Sequence, residues 1–480
     1  MDPVARRALA LLACIQFLLI LDTAIINVAA PSIGADLHIS PAELSWVANA
    51  YLVTFGGLLL LSGRAADLLD RRTLLVAGLG VLVAGSIAGA VAGDALLLVA
   101  GRALQGIGAA AAAASAFAVL IDLFPEGPER HKALGVFAAM AGAGGATGTV
   151  LGGVLTSWLG WRSTFGLNIL AGLALAVLAA RVVGPTVRRR GAAGGFDLGG
   201  ALLSTVGLGL LAFALVNTGV DGWTSPRTVV PGVAGVLLLG LFAVVERRVS
   251  APLMPPEVLR RPLLRTANLL SGLAQVVLFP MFFLISVHMQ TVLDFTPVQG
   301  GLALLPLSVT VILVAGNTGR VIGRFGLRAV MVVGFVIVTA GLAWLSRLHP
   351  DGTFVGDVLF PSLLLGVGLP LVAITTNVAA TLQAAPEEVG LASGLINTSQ
   401  QFGSVIGLAV LSGVAAAWTL DSADPTSDAA LTSGFSAAFV VGAVLALVAT
   451  AIATTLRVGA PEPAPATAGT NAQSPDTTAH

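Results

Sequence analysis

Leu18-Leu19-Ile20-Leu21-Asp22-Thr23-Ala24-Ile25-Ile26-Asn27-Val28 sets one acid in the middle of an apolar run reaching from about Leu9 to Ile33. About 20 apolar residues, rising 1.5 Å each, cross the hydrocarbon core of a bilayer, so the run is long enough to span it. A carboxylate at the centre of such a helix costs roughly 2.5–3.5 kcal/mol. Asp22 must therefore face a protein interior or a wet cavity, and must find a partner or a proton there. Two readings follow. Asp22 is a proton acceptor, since the charge of a buried carboxyl group responds to modest changes around it, or it is a permanently paired structural charge.

Outward from this run, the chain contains fourteen apolar segments, at about 8–33, 42–61, 73–92, 96–121, 132–158, 164–183, 198–218, 229–245, 269–291, 301–319, 327–346, 358–383, 389–418 and 434–456. None alternates as a barrel strand does, and helices satisfy their own backbone, so each is read as a helical span. The chain is 56% hydrophobic and 10% charged, with a mean hydropathy of +0.95. Soluble domains carry about 25% charged residues, so the composition is that of an integral membrane protein. The fold class expected is an all-α polytopic membrane protein. A net charge of zero argues against a nucleic-acid partner. The single cysteine, Cys14, permits no intrachain disulfide. The first run is too long for a signal peptide and lacks a small-residue cleavage site.

Basic residues sort the connections. Arg162, Arg227 and Arg347 lie in odd-to-even loops. Arg64, Arg71, Arg72, Arg130, Lys132, Arg188, Arg189, Arg190, Arg247, Arg248, Arg260, Arg261, Arg265, Arg320, Arg324 and Arg328 lie in the even-to-odd loops. The positive-inside rule then places both termini in the cytoplasm, which an even number of spans satisfies. The Pro-, Ala- and Thr-rich stretch from Gly459 to His480 is expected to be a disordered tail.

A repeat is present. Gly63-Arg64-Ala65-Ala66-Asp67-Leu68-Leu69-Asp70-Arg71-Arg72 follows span 2, and Gly319-Arg320-Val321-Ile322-Gly323-Arg324-Phe325-Gly326-Leu327-Arg328 follows span 10. Two six-helix halves with spans 7 and 8 inserted between them account for copies eight spans apart. The expected division is residues 1–190 as the first bundle, 191–250 as the inserted pair, 251–457 as the second bundle and 458–480 as the tail. Parallel repeats of this kind serve alternating access.

Four constellations carry candidate chemistry. Arg102, in Gly101-Arg102-Ala103-Leu104-Gln105-Gly106 of span 4, either meets Asp22 or snorkels to the outer interface. Gly144, Gly148 and Gly152 share one face of span 5, with Gly145, Thr149 and Gly153 as the adjacent stripe. Such small faces let helices approach closely, as static packing or as a surface that slides or bends. The loop with Gly63, Asp67, Arg71 and Arg72 reads as a latch, Asp67 reaching a neighbouring helix N-terminus, or as ordinary positive-inside charge. Asn27, Asn49, Gln105, Gln275, Asn377, Asn397, Gln400 and Gln401 are candidates to line a substrate cavity or to bond between helices. His288 is expected at the outer interface.

In this order and spacing the motifs resemble the major facilitator superfamily and, within it, the fourteen-span drug:proton antiporters. The carriers are Leu21-Asp22-Thr23 through Asn27 to Pro31, Trp46 to Tyr51, Gly63 to Arg72 and Arg102-x-x-Gln105-Gly106. Gly148 to Gly153, Trp161-Arg162 with Phe165 and Asn168, Thr296 to Gly301 with Pro306, and Asn397 to Gly407 complete them. The resemblance implies a major facilitator fold of two six-helix bundles with two extra helices in a bacterial cytoplasmic membrane. It implies export of amphipathic compounds, such as drugs or antibiotics, in exchange for protons, with Asp22 as the coupling acid and Arg102 as its electrostatic regulator. Thr149 departs from the family's usual proline after Gly148, Asp70 stands where glycine is usual, and Leu68 where a basic residue is usual. Spans 9 to 14 contain no acid, which suits neutral, monocationic or weakly anionic cargo, because buried positive charge needs compensation.

The expected function is proton-coupled efflux by a monomer driven by the proton motive force, with no cofactor and no metal. An uptake uniporter or symporter is the closest alternative. A membrane-embedded enzyme would need paired acids or a His-centred cluster at one depth. His38, His131, His288, His349 and His480 are instead scattered, so no catalytic residue is assigned.

Overall fold

The structure is a computed structural model, and it describes residues 2–39, 41–124, 127–184, 197–249, 252, 261–382 and 389–456. The tail at 458–480, Arg188–Arg190, Arg260 and the expected boundaries near 190, 250 and 457 lie outside the described residues. Among the described residues there is no β-strand, and fourteen helical segments are long and apolar enough to cross a membrane.

The first eight spans are α1 (Pro3–Leu37), α2 (Pro41–Leu68), α3 (Arg71–Ala90), α4 (Ala95–Leu123), α5 (Pro128–Leu159), α6 (Arg162–Val182), α7 (Leu198–Asp221) and α8 (Pro226–Val245). Span 9 is α9 (Pro262–Thr291), and span 10 is built of α10 (Pro297–Ala303) and α11 (Leu305–Phe325). Span 11 is α12 (Leu327–Leu345), and span 12 opens with a π-helical turn, Phe354–Leu359, before α13 (Phe360–Thr381). Spans 13 and 14 are α14 (Val389–Leu420) and α15 (Asp428–Thr454). Because successive spans alternate in direction, the beginning of α1 and the end of α15 lie at one face, called here the terminal face.

The packing repeats at an offset of eight spans. In the first half α1 packs on α5, α2 on α4, and α3 on both α4 and α6. In the second half α9 packs on α14, α11 on α13, and α12 on both α13 and α15. These are two six-helix bundles of one design. The pair α7–α8 lies between them, with α7 against α2 of the first bundle and α14 of the second. The pair closes on itself at Gly207 and Gly235, where the missing side chains let the two backbones meet.

The repeated motif occupies equivalent places in the two bundles. Arg72 donates to the carbonyl of Ala180 near the end of α6, and Arg328 donates to that of Thr454 at the end of α15. The turn before each arginine is built differently. Gly326 takes φ 83°, which only glycine adopts at no steric cost. Asp70, at the matching place, has φ −65° and caps α3 by accepting from Thr73 N at 2.9 Å and Thr73 Oγ1 at 2.7 Å.

The expected latch loop is corrected by this geometry. Gly63 to Leu68 are the last turns of α2, so only Leu69 and Asp70 connect the two helices. Asp67 has a side chain that is 58% exposed and lies 3.7 Å from Arg71, whereas the acid at a helix N-terminus is Asp70. Arg71 is buried, donating to the carbonyls of Ala66 at 2.9 Å and Ala118 at 3.2 Å and pairing with Asp122 near the end of α4.

Candidate functional site

Asp22 and Arg102 meet. Each is 1% exposed, and Arg102 Nη1 donates to Asp22 Oδ2 at 2.6 Å. The snorkelling alternative for Arg102 does not occur in this structure. The guanidinium is fixed on every side: Nε donates to the Val47 carbonyl at 2.9 Å, Nη1 also donates to Gln105 Oε1 at 2.9 Å, and the group lies 4.5 Å from the centre of the Tyr51 ring. Asp22 Oδ1 accepts from Asn168 Nδ2 of α6 and, at 3.4 Å, from Gln105 Nε2, which donates in turn to Ser86 Oγ at 2.8 Å. One carboxylate thus joins α1 to α4 and α6, and through Gln105 to α3.

The local sequence permits this convergence. A Cβ on Gly85 would lie 2.6 Å from the backbone N of Gln105, and one on Gly106 would lie 2.4 Å from the carbonyl oxygen of Tyr51. Glycine at these crossings lets α4 sit deep between α2 and α3, bringing Arg102 and Gln105 within reach of α1. Thr54 Oγ1 adds a bond to the Ala103 carbonyl at 2.9 Å.

The span 5 glycines divide their work between two neighbours. Gly144, Gly148 and Gly152 lie on α1, where a Cβ would come within 2.6 Å of Phe17 O, 2.8 Å of Leu21 O and 3.0 Å of Ile25 Cα respectively. They pack along the α1 turns that carry Asp22. Gly153 faces α10 instead, 2.5 Å from the Pro297 carbonyl oxygen by the same measure, while Gly301 of α10 lies over the Thr149 carbonyl. Ser157 Oγ accepts from Val298 N at 3.2 Å. The position at which the resemblance puts proline is therefore a contact between the two bundles.

That contact exists at one end only. Gly135, Gly142 and Thr149 recur every seven residues and share one stripe of α5. Thr149 meets α10, but Gly142 and Gly135, nearer the terminal face, have no facing heavy atom within 4 Å. Gly316, Gly319 and Gly323 of α11 likewise face open space. At the far end Gln290 Nε2 of α9 donates to the Val28 carbonyl of α1 at 3.0 Å. On the side of α1 and α5 the bundles touch at the end away from the terminal face and part toward it, while α2 packs on α14 where Gly56 meets Gln401.

The expected cavity residues do not form one open surface. Gln105 and Asn49 are fully enclosed, and Asn27 is 6% exposed. Gln105 belongs to the Asp22 network, while Asn49 has no hydrogen-bond partner among the described residues. Gln400 donates to Ser271 Oγ at 3.0 Å, and Gln401 packs on Gly56 across the α2–α14 contact. Gln275 is half-buried, Asn397 is exposed, and the exposed Asn377 donates to the Ala373 carbonyl of its own helix at 2.7 Å. His288 is 1% exposed and stacks edge-on with Phe435, so the expected interfacial placement is corrected to an enclosed one. Ser86 and Asp122 join the charged networks although no motif singled them out, and Tyr51 and Asn168, named there only as carriers of the resemblance, join them as neighbours of Arg102 and Asp22. Among the described residues no group of three or more His, Cys, Asp or Glu is placed to hold a metal ion.

Residues 12–408 match the family profile of the Major Facilitator Superfamily. The chain is 38% identical over 445 residues to the cephamycin export protein CmcT of Amycolatopsis lactamdurans, covering 92% of this chain and 90% of that protein. It is 37% identical over 459 residues to the puromycin resistance protein pur8 of Streptomyces alboniger, with the same coverage. Among solved structures, a bacterial homologue of the human lysosomal transporter Spinster, in an inward-facing and unoccupied conformation, superposes with a TM-score of 0.65. That match covers 95% of this chain and 97% of the other at 16% identity, and speaks for the fold alone. With the repeated bundles and the family match in agreement, the chain belongs to the major facilitator superfamily.

Proposed function

We propose that the protein exports amphipathic small molecules of the antibiotic class from the cytoplasm in exchange for protons, by alternating access. The observation that carries the reading is the enclosed Asp22–Arg102 pair, which ties α1 to α4 and α6 inside the first bundle. The relatives named for cephamycin export and puromycin resistance support the cargo class. The positive-inside rule makes the terminal face cytoplasmic, since Arg64, Arg71, Arg72 and Arg328 lie toward that face and Arg162 and Arg347 at the other. On this reading the division is residues 1–190, 191–250 and 251–457, and one chain is the working unit because the opening lies between its own halves.

In the mechanism, Asp22 is ionised while the opening faces the cytoplasm. Its oxygens accept from Arg102, Asn168 and Gln105, an arrangement that suits a carboxylate. When α5 parts from α10 and α1 from α9, the pair meets the outer solution. A proton on Asp22 removes the charge that holds Arg102, the α1–α4–α6 junction loosens, and cargo leaves. Return inward delivers the proton. Asp22→Asn cannot take up a proton, yet keeps the shape and one acceptor oxygen. The expected result in proteoliposomes is loss of efflux driven by a pH gradient, with cargo exchange retained in the absence of a gradient. Gradient-driven efflux at the wild-type rate by that variant would exclude Asp22 as the coupling acid.

A further inference from the structure

The fixed neighbours of the Arg102 guanidinium include one anion, Asp22 of α1. The others are neutral and lie on different helices: the Val47 carbonyl and the Tyr51 ring on α2, and Gln105 on α4 itself. Tyr51 is 2% exposed, and Phe55, one turn on, stacks on its ring at 5.7 Å with an interplanar angle of 16°. The ring is thus braced from within α2. No second anion stands ready to replace Asp22. Between Arg7 and Asp36, α1 carries no other charged residue, and α2 carries none between Glu43 and Arg64. The same holds for α3 between Arg72 and Asp94, for α5 between Lys132 and Arg162 and for α6 between Arg162 and Arg181, while α4 has only Arg102 between Asp94 and Asp122. The helices that pack on α1 and α2 from outside the first bundle add none. There is no acid in α7 between Asp197 and Asp221, in α9 between Arg265 and Asp294, where His288 is the titratable group, or in α14 from Val389 to Leu420.

We propose, resting on the proton coupling argued above, that Tyr51 is a positioning residue for the protonated state. When Asp22 takes its proton, the Tyr51 ring keeps the Arg102 guanidinium docked on α2, and only α1 is released. A guanidinium does not give up its own proton in a protein. Left without its carboxylate, it is a buried charge that needs compensation. The face of an aromatic ring is negative and attracts a cation without taking up a proton. The ring matters least while the carboxylate neutralises the guanidinium, and most once it does not. The Val47 carbonyl and Gln105 Oε1 hold the direction of the group, and the ring supplies attraction over its face. Protonation therefore breaks the tie from α1 to α4 and leaves the tie from α2 to α4 in place. The helix set free is the one whose Val28 carbonyl accepts from Gln290 of α9, so the change in charge acts on a contact between the bundles.

Tyr51 is the sole tyrosine of the chain, which makes the contact directly readable. In the full-length protein in liposomes, with isotope-labelled tyrosine and arginine, magic-angle-spinning NMR shows a ring–guanidinium contact as a correlation that belongs to Tyr51 and Arg102. Asp22→Asn stands for the protonated acid. The correlation is expected to persist in that variant, and its loss there overturns the proposal, since Arg102 would have left the ring. Transport gives a second reading. Tyr51→Leu removes the ring and is expected to lower gradient-driven efflux roughly ten- to thirtyfold, and to lower cargo exchange without a gradient far less. Tyr51→Phe keeps the ring and is expected to rescue the gradient-driven rate. An equal fall of both activities in Tyr51→Leu would mark the ring as packing, and absence of rescue by Tyr51→Phe would move the role to the hydroxyl; either result overturns the proposal. Should the leucine variant fail to fold, the correlation in Asp22→Asn still decides. The coupling role of Asp22 is read by gradient-driven efflux in Asp22→Asn, whereas the place of Arg102 in that variant is read by NMR, so the two can fail separately.

Discussion

At the residue scale, the site is an acid and a base whose enclosure would be costly for either alone. Removing one partner of a buried ion pair typically costs about 3–5 kcal/mol, because the other charge is left uncompensated. That cost is why Asp22 and Arg102 were legible in the sequence: each was expensive in an apolar helix and each needed the other. Asn168, Ser86 and Tyr51 were not legible as partners, since neutral polar side chains are cheap in helices and their neighbours are chosen by tertiary packing. The guanidinium is required for its shape as well as its charge. It satisfies Val47, Asp22 and Gln105 from fixed directions while lying on the Tyr51 ring. An ammonium has no planar fork with which to do this. Charge-assisted hydrogen bonds are worth about 1.5–3 kcal/mol each, so losing one predicts a roughly ten- to hundredfold fall in efflux for Arg102→Lys. Initial rates in everted vesicles measure it, and wild-type rates in the lysine variant would show that charge alone suffices.

At the scale of the element, α5 shows how one helix serves two interfaces with two stripes of small residues. The glycine face was readable from spacing alone. Its division between α1 and α10 was not, because the second neighbour belongs to the other bundle. The latch was misread as a loop for a related reason: hydropathy falls near Leu61, but helical hydrogen bonding continues to Leu68. The Asp70 departure became intelligible once its side chain was found capping α3, where the second copy turns on Gly326. The α1–α5 face gives a paired prediction. A Cβ at Gly148 would lie 2.8 Å from the Leu21 carbonyl oxygen and from Ala24 Cβ, and backbone yields poorly. Overpacking costs about 1–3 kcal/mol. Gly148→Val is expected to push α5 off the turns that carry Asp22 and to abolish efflux, with protein still present in the membrane. Gly142→Ala, which meets nothing within 4 Å, is expected to export near the wild-type rate. Equal activity of the two variants in a drug-susceptibility assay would count against a working α1–α5 face.

For the whole molecule, the bundles part toward the terminal face along α5 and α11 while α2 packs on α14, and in the proposed cycle the driving force must close that gap. One proton moving inward through 100 mV releases about 2.3 kcal/mol, enough for roughly a fiftyfold gradient of a neutral solute. The cycle requires the parted end to be wet when cargo enters. The chain carries its own reporter of this, because Cys14 is its sole cysteine and is exposed. It lies fourteen residues before Val28, whose carbonyl meets Gln290 at the closed end, and so falls close to the same stripe of α1. Ala10, eighteen residues before Val28 and on that stripe, is also exposed. Both are exposed on the terminal half of α1, on the stripe whose far end meets α9. A charged, membrane-impermeant maleimide is therefore expected to label Cys14 when supplied from the cytoplasmic side in everted vesicles and to fail from the outside in intact cells. An inward-directed proton gradient, which drives the bundles to open outward, is expected to slow the labelling. Labelling from the outside alone would reverse the proposed orientation. Labelling from the cytoplasmic side that ignores the gradient would detach the opening from the proton-driven cycle.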